Sequence, residues 1–179
     1  MKQLKFQTGE FKLARSFGGD LLKKAKNRTA RPLSTKKSMH IVLRSEHAKG
    51  EWSFKTRRNR QIVAQATEKA AQKFGVKIYK FASGGNHLHL LVKLGNRFAY
   101  RGFIRALTGT IALQITAANK YKKIGKKFWS GRPFSRIVEW GSAFRLALDY
   151  VMLNQLEAAG VFPYQRGRLR DVKLHFEDK

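Results

Sequence analysis

The chain of 179 residues contains no cysteine. This absence excludes disulfide bonds, thiolate zinc sites and a cysteine nucleophile. The sequence also lacks an uninterrupted apolar run long enough to cross a bilayer. Its first residues, Met1 to Phe6, lack the apolar core of a signal peptide. Together these absences predict a cytoplasmic protein with no membrane partner.

Acidic residues are scarce as well, with 11 Asp and Glu against 38 Lys and Arg, which gives a formal net charge of +27. None occurs between Glu68 and Glu139, an interval that contains 15 Lys and Arg. A charge of this size destabilises the compact state by self-repulsion, so it indicates a polyanionic partner such as nucleic acid. A generic basic, ribosome-like protein is the alternative that charge alone leaves open.

Hydrophobic periodicity predicts the order β-α-β-β-α-β, followed by a third helix. The predicted strands are 39–44, 76–82, 87–94 and 134–140, and the predicted helices are 56–74, 100–119 and 142–159. This order is typical of the α+β class and of the split β-α-β, or ferredoxin-like, fold, in which two helices cover one face of an antiparallel sheet. We divide the chain into a basic N-terminal arm (1–38, with one candidate helix at 20–25), a domain (39–160) and a C-terminal tail (161–179).

Several finer features of the helices follow from the same pattern. We expect the buried stripes to be Ile62, Ala66, Ala70 and Phe74 in the first helix and Phe103, Leu107, Ile111 and Ile115 in the second. In the third helix we expect Ser142 as the cap and Gly160 as the stop signal.

Two histidines, His87 and His89, lie one residue apart on a predicted strand. Side chains at this spacing share one face of the strand, and the opposite, buried face carries Leu88, Leu90, Val92 and Leu94. Two imidazoles side by side form a pair of candidate metal ligands. A pair of surface histidines is the alternative, and imidazoles alone would also suit zinc.

The histidine face is left for the third helix, or for solvent and substrate, because the two helices with apolar stripes are expected to cover the other face. Tyr150 and Asn154 are four residues apart and therefore neighbours on one side of this helix. The phenol can act as a nucleophile, and the carboxamide oxygen can complete a metal site. Gln155 is the alternative ligand, about 100° further round the helix. A packed core aromatic is the alternative for Tyr150.

Three segments of the chain resemble one family in their order along the sequence. They are His40–Arg44, Gly85–Val92, and Phe128–Phe134 followed by Tyr150–Gly160. On these segments the chain resembles the single-tyrosine HUH transposases, the IS200-like or Y1 group, and within it the REP-associated tyrosine transposases. Members from insertion sequences usually place Gln four residues after the tyrosine, and the REP-associated branch usually has Asn-Pro there. Here the pair is Asn154-Gln155.

The resemblance implies a role for each matching position. His87 and His89 would bind Mg²⁺ or Mn²⁺, Asn154 or Gln155 would complete the metal site, and Tyr150 would attack a DNA phosphodiester. The domain 39–160 would then cleave and rejoin single-stranded DNA, containing hairpins, through a 5′-phosphotyrosine intermediate, as a monomer or a homodimer.

Basic side chains near these motifs are the candidates for DNA binding: Arg44, Lys120, Lys122, Lys123, Lys126, Lys127 and Arg132. The alternative function is a non-catalytic or domesticated nucleic-acid-binding module on the same fold. An RNA-recognition domain is a further alternative, but such domains stack bases on aromatic residues of their central strands. The histidine strand has no aromatic residue of that kind.

Overall fold

Five antiparallel strands form one sheet in the computed structural model, which describes residues 16–19, 30–161 and 163. The strands are β1 (Ser16–Phe17), β2 (Ser38–Arg44), β3 (Val76–Ser83), β4 (His87–Leu94) and β5 (Phe134–Val138). The helices are α1 (Arg57–Phe74), α2 (Ala99–Thr116) and α3 (Ser142–Ala158). A short 3₁₀ turn spans Gly50–Trp52.

The strand order across the sheet is β1-β5-β2-β4-β3. Helix α1 connects β2 to β3, and α2 connects β4 to β5, so the middle of the chain has the predicted β-α-β-β-α-β order. The ferredoxin-like arrangement is therefore confirmed. The candidate helix at 20–25 and most of the tail, 164–179, lie outside the described residues.

One strand comes from the segment that was predicted only as a basic arm. β1 pairs with β5 at the edge of the sheet, with Ser16 opposite Arg136. Arg31 helps to hold this edge, because its guanidinium donates to the Ser135 hydroxyl (2.5 Å) and to the Pro133 carbonyl (2.8 Å). The same guanidinium lies 4.3 Å from the centre of the Phe17 ring. A two-residue strand has too little sequence pattern to be predicted.

The main core lies between one face of the sheet and helices α1 and α2. The alternating side chains of β4 that were expected to be buried are buried: Leu88, Leu90, Val92 and Leu94. The predicted stripe of α2 is buried in full. In α1, Ala66 and Ala70 of the predicted stripe are buried, and the stripe is completed by Asn59, Val63, Thr67 and Ala71. Ile62 and Phe74 pack only at the margin of this core.

The ends of α1 and α3 agree with the prediction to within one residue, whereas α2 ends three residues early. The Thr56 hydroxyl accepts a hydrogen bond from the Asn59 N–H (3.2 Å), and Gly75 ends α1 in the left-handed conformation. Helix α2 ends at Thr116 rather than 119 because Ala117 turns left-handed. The prediction that Ser142 caps α3 is wrong. Ser142 is the first residue of the helix, and the N-cap residue is Gly141, which has no side chain to cap it. β5 ends at Val138, two residues before the predicted end.

Helix α3 covers the opposite face of the sheet, which is the first of the two alternatives that the sequence left open. A smaller apolar cluster joins them, formed by Ala82, Leu91 and Val138 of the sheet and Ala147 and Val151 of the helix. Among the residues that the structure describes, no helix is long and apolar enough to cross a membrane.

Two glycines of α2 give a matched test of helix packing. A Cβ on Gly102 would lie 2.2 Å from a ring carbon of Phe74, whereas a Cβ on Gly109 would meet no atom within 4 Å. We expect Gly109→Ala to raise the free energy of unfolding by about 0.5–1 kcal/mol, because alanine restricts the unfolded chain more than glycine does. Gly102→Ala should lower it by about 1–3 kcal/mol through overpacking. Urea unfolding measures both, and effects of the same sign would contradict this packing of α1 against α2.

Candidate active site

Three imidazoles, not two, lie on the sheet face that α3 covers. In the register of β2 and β4, Val42 is opposite His89 and Arg44 is opposite His87. Opposite residues in an antiparallel pair share a face. His40 is two residues before Val42, so it lies on this same face. His40 is not among the site residues predicted from the sequence, because its position depends on the pairing of two distant strands.

The orientation of His87 is fixed by its neighbour in the chain. The Asn86 Oδ1 atom lies 3.0 Å from Nδ1 of His87. A carboxamide oxygen can only accept, so Nδ1 of His87 donates and its Nε2 keeps an unprotonated lone pair. The ring centres of His87 and His89 are 4.9 Å apart, which allows both rings to contact one cation.

Close packing from the preceding turn also restrains the His87 ring. A Cβ on Gly84 would lie 2.7 Å from both Cε1 and Nε2 of His87. Any side chain at this position would therefore collide with the nitrogen that is free to bind a metal. The sequence shows this glycine only as part of a tight turn, so its contact with His87 was missed.

The ring of Tyr150 packs edge-on against the imidazoles. Its centre is 5.3 Å from that of His89 and 5.7 Å from that of His40. Val151, the next residue of α3, is fully buried against the sheet. The helix thus carries the phenol to the histidines within one chain.

The two candidates for a third ligand differ in their surroundings. Asn154 is half-buried, and its amide nitrogen donates to the backbone carbonyl of Tyr150 (2.7 Å). The atom left to bind a cation is therefore Oδ1. Gln155 is exposed.

The donor types decide whether a metal fits this site. Within the described part of the chain, no group of three or more His, Cys, Asp or Glu side chains could hold a metal ion. A metal bound by His87 and His89 would therefore need a different third ligand, such as the Asn154 oxygen. Imidazole suits transition metals, and an amide oxygen suits hard cations such as Mg²⁺ and Mn²⁺. The two donor types together are compatible with a divalent cation and do not single out one ion.

Positive charge surrounds the exposed end of the site. Burial lowers the pKa of His87, and the nearby charges of Arg44 and Lys55 lower it further. Arg44 and Lys55 are both exposed, so they can contact a phosphate. Arg44 was predicted as a DNA contact. Lys55 was missed because it lies in a loop 32 residues before His87 in the sequence.

The other predicted DNA contacts belong to one connection between α2 and β5. The Ser130 N–H donates to the Arg44 carbonyl (2.9 Å), and the Ser45 hydroxyl donates to the Phe128 carbonyl. These bonds place the segment that contains Arg132 alongside the end of β2. Arg132 is exposed, and so are the five lysines that precede this segment: Lys120, Lys122, Lys123, Lys126 and Lys127.

Burial also controls the charge of the two inner imidazoles. It lowers the pKa of His40 to about 4, with a smaller contribution from Arg136. It lowers the pKa of His89 to about 3, with smaller contributions from His40 and His87. Both rings are therefore neutral at neutral pH, the state in which an imidazole can bind a metal.

These pKa values predict that acid destabilises the protein. Below a pH of about 6.5, a histidine in the unfolded chain binds a proton. In the folded protein, His40 and His89 stay unprotonated until the pH falls to their own, lower pKa values. As the pH falls below about 6.5, the free energy of unfolding should therefore decrease by about 1.4 kcal/mol per pH unit for each of these two histidines. Urea unfolding with a chelator present, between pH 7 and 5, measures this slope.

The control is the double variant His40→Gln, His89→Gln, which should lose most of that slope. A stability that stays constant from pH 7 to 5 in the unsubstituted protein would contradict the burial of two neutral histidines.

The sequence matches a protein family, and the fold is similar to that of solved structures. The family model described as "Transposase IS200 like" matches residues 34–152. The fold is similar to that of a REP-associated tyrosine transposase whose structure was solved bound to a REP hairpin. That likeness has a TM-score of 0.55 and 14% sequence identity, and it covers 83% of this chain and 86% of the other.

A second solved structure, a proposed transposase from Deinococcus radiodurans, has a TM-score of 0.45 and 14% identity over 72% of this chain and 98% of the other. No curated protein matches the chain. The structural likeness establishes the fold alone, whereas the family match covers most of the chain and includes the histidine strand and Tyr150. The chain therefore belongs to the IS200-like transposase family.

Proposed function

We propose that the protein cleaves and rejoins single-stranded DNA, with Tyr150 as the nucleophile. The observation that carries the proposal is the packing of the Tyr150 ring against His89, with ring centres 5.3 Å apart. His87, His89 and the Asn154 oxygen would hold Mg²⁺ or Mn²⁺ beside the phenol. Gln155 is the less favoured third ligand because it is exposed.

The chemistry is a transesterification at phosphorus. The phenolic oxygen of Tyr150 forms a bond to phosphorus, and the bond from phosphorus to the 3′ oxygen breaks. The phenol loses its proton, the departing 3′ oxygen gains one, and the 5′ phosphate stays on the tyrosine. The covalent link retains the energy of the broken bond, so a 3′-OH can reverse the reaction and join strands without ATP.

The residues around the nucleophile organise the site before DNA binds. A bound divalent cation would polarise the scissile phosphate and offset its charge. Asn86 keeps Nε2 of His87 free, and Gly84 leaves room for the ring. No carboxylate is among the groups that shift the pKa values of the three histidines. An approaching phosphate would meet imidazoles and cations.

The DNA would lie across the exposed basic end of the sheet. Arg44 and Lys55 flank His87, and Arg132 and the five exposed lysines of the α2–β5 connection extend the positive surface. Such contacts bind the phosphate backbone through charge and are weakened by salt. The REP-associated transposase of similar fold was solved with a hairpin, which supports hairpin-containing single strands as the substrate.

Loss of the nucleophile is the direct test. The full chain is incubated with labelled single-stranded oligonucleotides that contain hairpins, with Mg²⁺ or Mn²⁺, and the covalent adduct is measured on a denaturing gel. Tyr150→Phe should reduce the adduct at least about 1,000-fold because it has no oxygen to attack phosphorus. Tyr121→Phe is the matched control, since Tyr121 is 91% exposed in the lysine-rich connection. DNA binding without any adduct in the unsubstituted protein would favour the alternative function, a nucleic-acid-binding module.

A second test uses the close contact between Gly84 and the His87 ring to examine whether His87 binds a metal. Gly84→Ala should weaken Mn²⁺ binding about 10- to 100-fold, because the new Cβ displaces the His87 ring and crowds its Nε2 atom. Gly85→Ala is the matched control, since its Cβ would meet no atom closer than 3.8 Å. Titration of metal-free protein with Mn²⁺, followed by electron paramagnetic resonance, measures the affinity. Equal affinities for the two variants would argue against His87 as a ligand.

A further inference from the structure

His40 lies beside the proposed metal site, yet the proposed function gives it no role. Its side chain is 8% exposed, and that of His89 is 6% exposed. The Nε2 atom of His40 lies 3.1 Å from Nδ1 of His89, across two strands and 49 residues of sequence. A buried contact of this kind between two polar rings is a hydrogen bond with one proton in it.

The geometry shows that this bond lies in the plane of the rings. The ring planes are within 11° of parallel, and their centres are 5.3 Å apart. In an imidazole, each nitrogen lies one ring radius from the ring centre. The distance between the two ring centres equals the nitrogen–nitrogen distance plus about two such radii, which is the largest value it can take. Both centres and both nitrogens therefore lie almost on one line, along the lone-pair direction that a strong hydrogen bond requires.

The position of the proton decides what His89 can do. In one arrangement His40 donates from Nε2 and His89 accepts at Nδ1. Neutral His89 then carries its own proton on Nε2 and cannot bind a cation with either nitrogen. In the other arrangement His89 donates from Nδ1, and its Nε2 keeps a free lone pair. Only the second arrangement matches His87, whose Nδ1 donates to Asn86.

We propose that His40 is a positioning residue that accepts a hydrogen bond from Nδ1 of His89 and thereby keeps Nε2 of His89 free for the cation shared with His87. This inference rests on the proposed function for its metal, but not for its hydrogen bond. The two ligands are then oriented by different acceptors, a carboxamide for His87 and an imidazole for His89. Outer partners of this kind orient metal-binding histidines in many proteins.

His40 is not itself a third ligand in this arrangement. Its Nε2 atom is engaged by His89, and the described residues contain no group of three such side chains that could hold a metal. The ring of Tyr150 packs edge-on against both partners of the bond. Removing His40 would therefore loosen the surface on which the nucleophile rests as well as the ligand.

The test uses the full chain and two substitutions at one position. In His40→Gln, the side-chain amide oxygen takes the place of Nε2 and can still accept. In His40→Leu, no acceptor remains. Nitrogen-15 spectra of the metal-free protein report which nitrogen of His89 carries the proton, Mn²⁺ titration reports the affinity, and urea unfolding shows that each variant is folded.

In the unsubstituted protein we expect the proton of His89 on Nδ1. His40→Leu should move that proton to Nε2 in part or in full and weaken Mn²⁺ binding about 10- to 100-fold. His40→Gln should keep the Nδ1 proton and most of the affinity. A proton on Nε2 of His89 in the unsubstituted protein would overturn the proposal, and so would an unchanged Mn²⁺ affinity in a folded His40→Leu variant.

Absence of the metal site and absence of a role for His40 would give different results. If the unsubstituted protein has the Nδ1 proton but binds no Mn²⁺, the metal site of the proposed function is wrong and the role of His40 toward it is lost as well. If Mn²⁺ binds and His89→Ala abolishes the binding while His40→Leu does not, the proposed function stands and only the role of His40 is overturned.

Discussion

The docking of helix α3 on the second face of the sheet is the contact on which the site depends. Val151 and Ala147 bury against Leu91, Ala82 and Val138. This apolar cluster is small, but it sets the distance of α3 from the sheet and the side of the helix that faces the sheet. Because Tyr150 precedes Val151, the same contact places its ring against His89 and His40. Asn154 follows one turn later on the same helix.

One face of the sheet forms the main core, and the other face carries the candidate site. One face is largely apolar and joins α1 and α2 in the main core. The other is divided, with apolar residues where α3 packs most tightly and polar residues toward the open end, where His87, Arg44 and Lys55 lie. The divided face costs some stability, because two buried imidazoles must stay neutral. A neutral imidazole nitrogen can bind a cation without first losing a proton.

All the proposed catalytic groups come from one copy of the chain. The phenol lies on α3 and the imidazoles on β2 and β4, and α3 packs on the sheet of its own chain. A single chain therefore suffices to bring Tyr150 to His89.

The sequence by itself determined the relations within each element. A strand alternates its side chains, so His87 and His89 had to share a face, and a helix repeats about every four residues, so Tyr150 and Asn154 had to be neighbours. It also determined the ferredoxin-like order and the buried stripe of α2. Only the tertiary structure decided the relations between elements: the hydrogen bond between His40 and His89, the place of Lys55, the pairing of β1, and the contact of Gly84 with the His87 ring. These depend on strand register and on close packing between residues whose separation in the chain carries no local signal, whereas periodicity is a property of each segment alone.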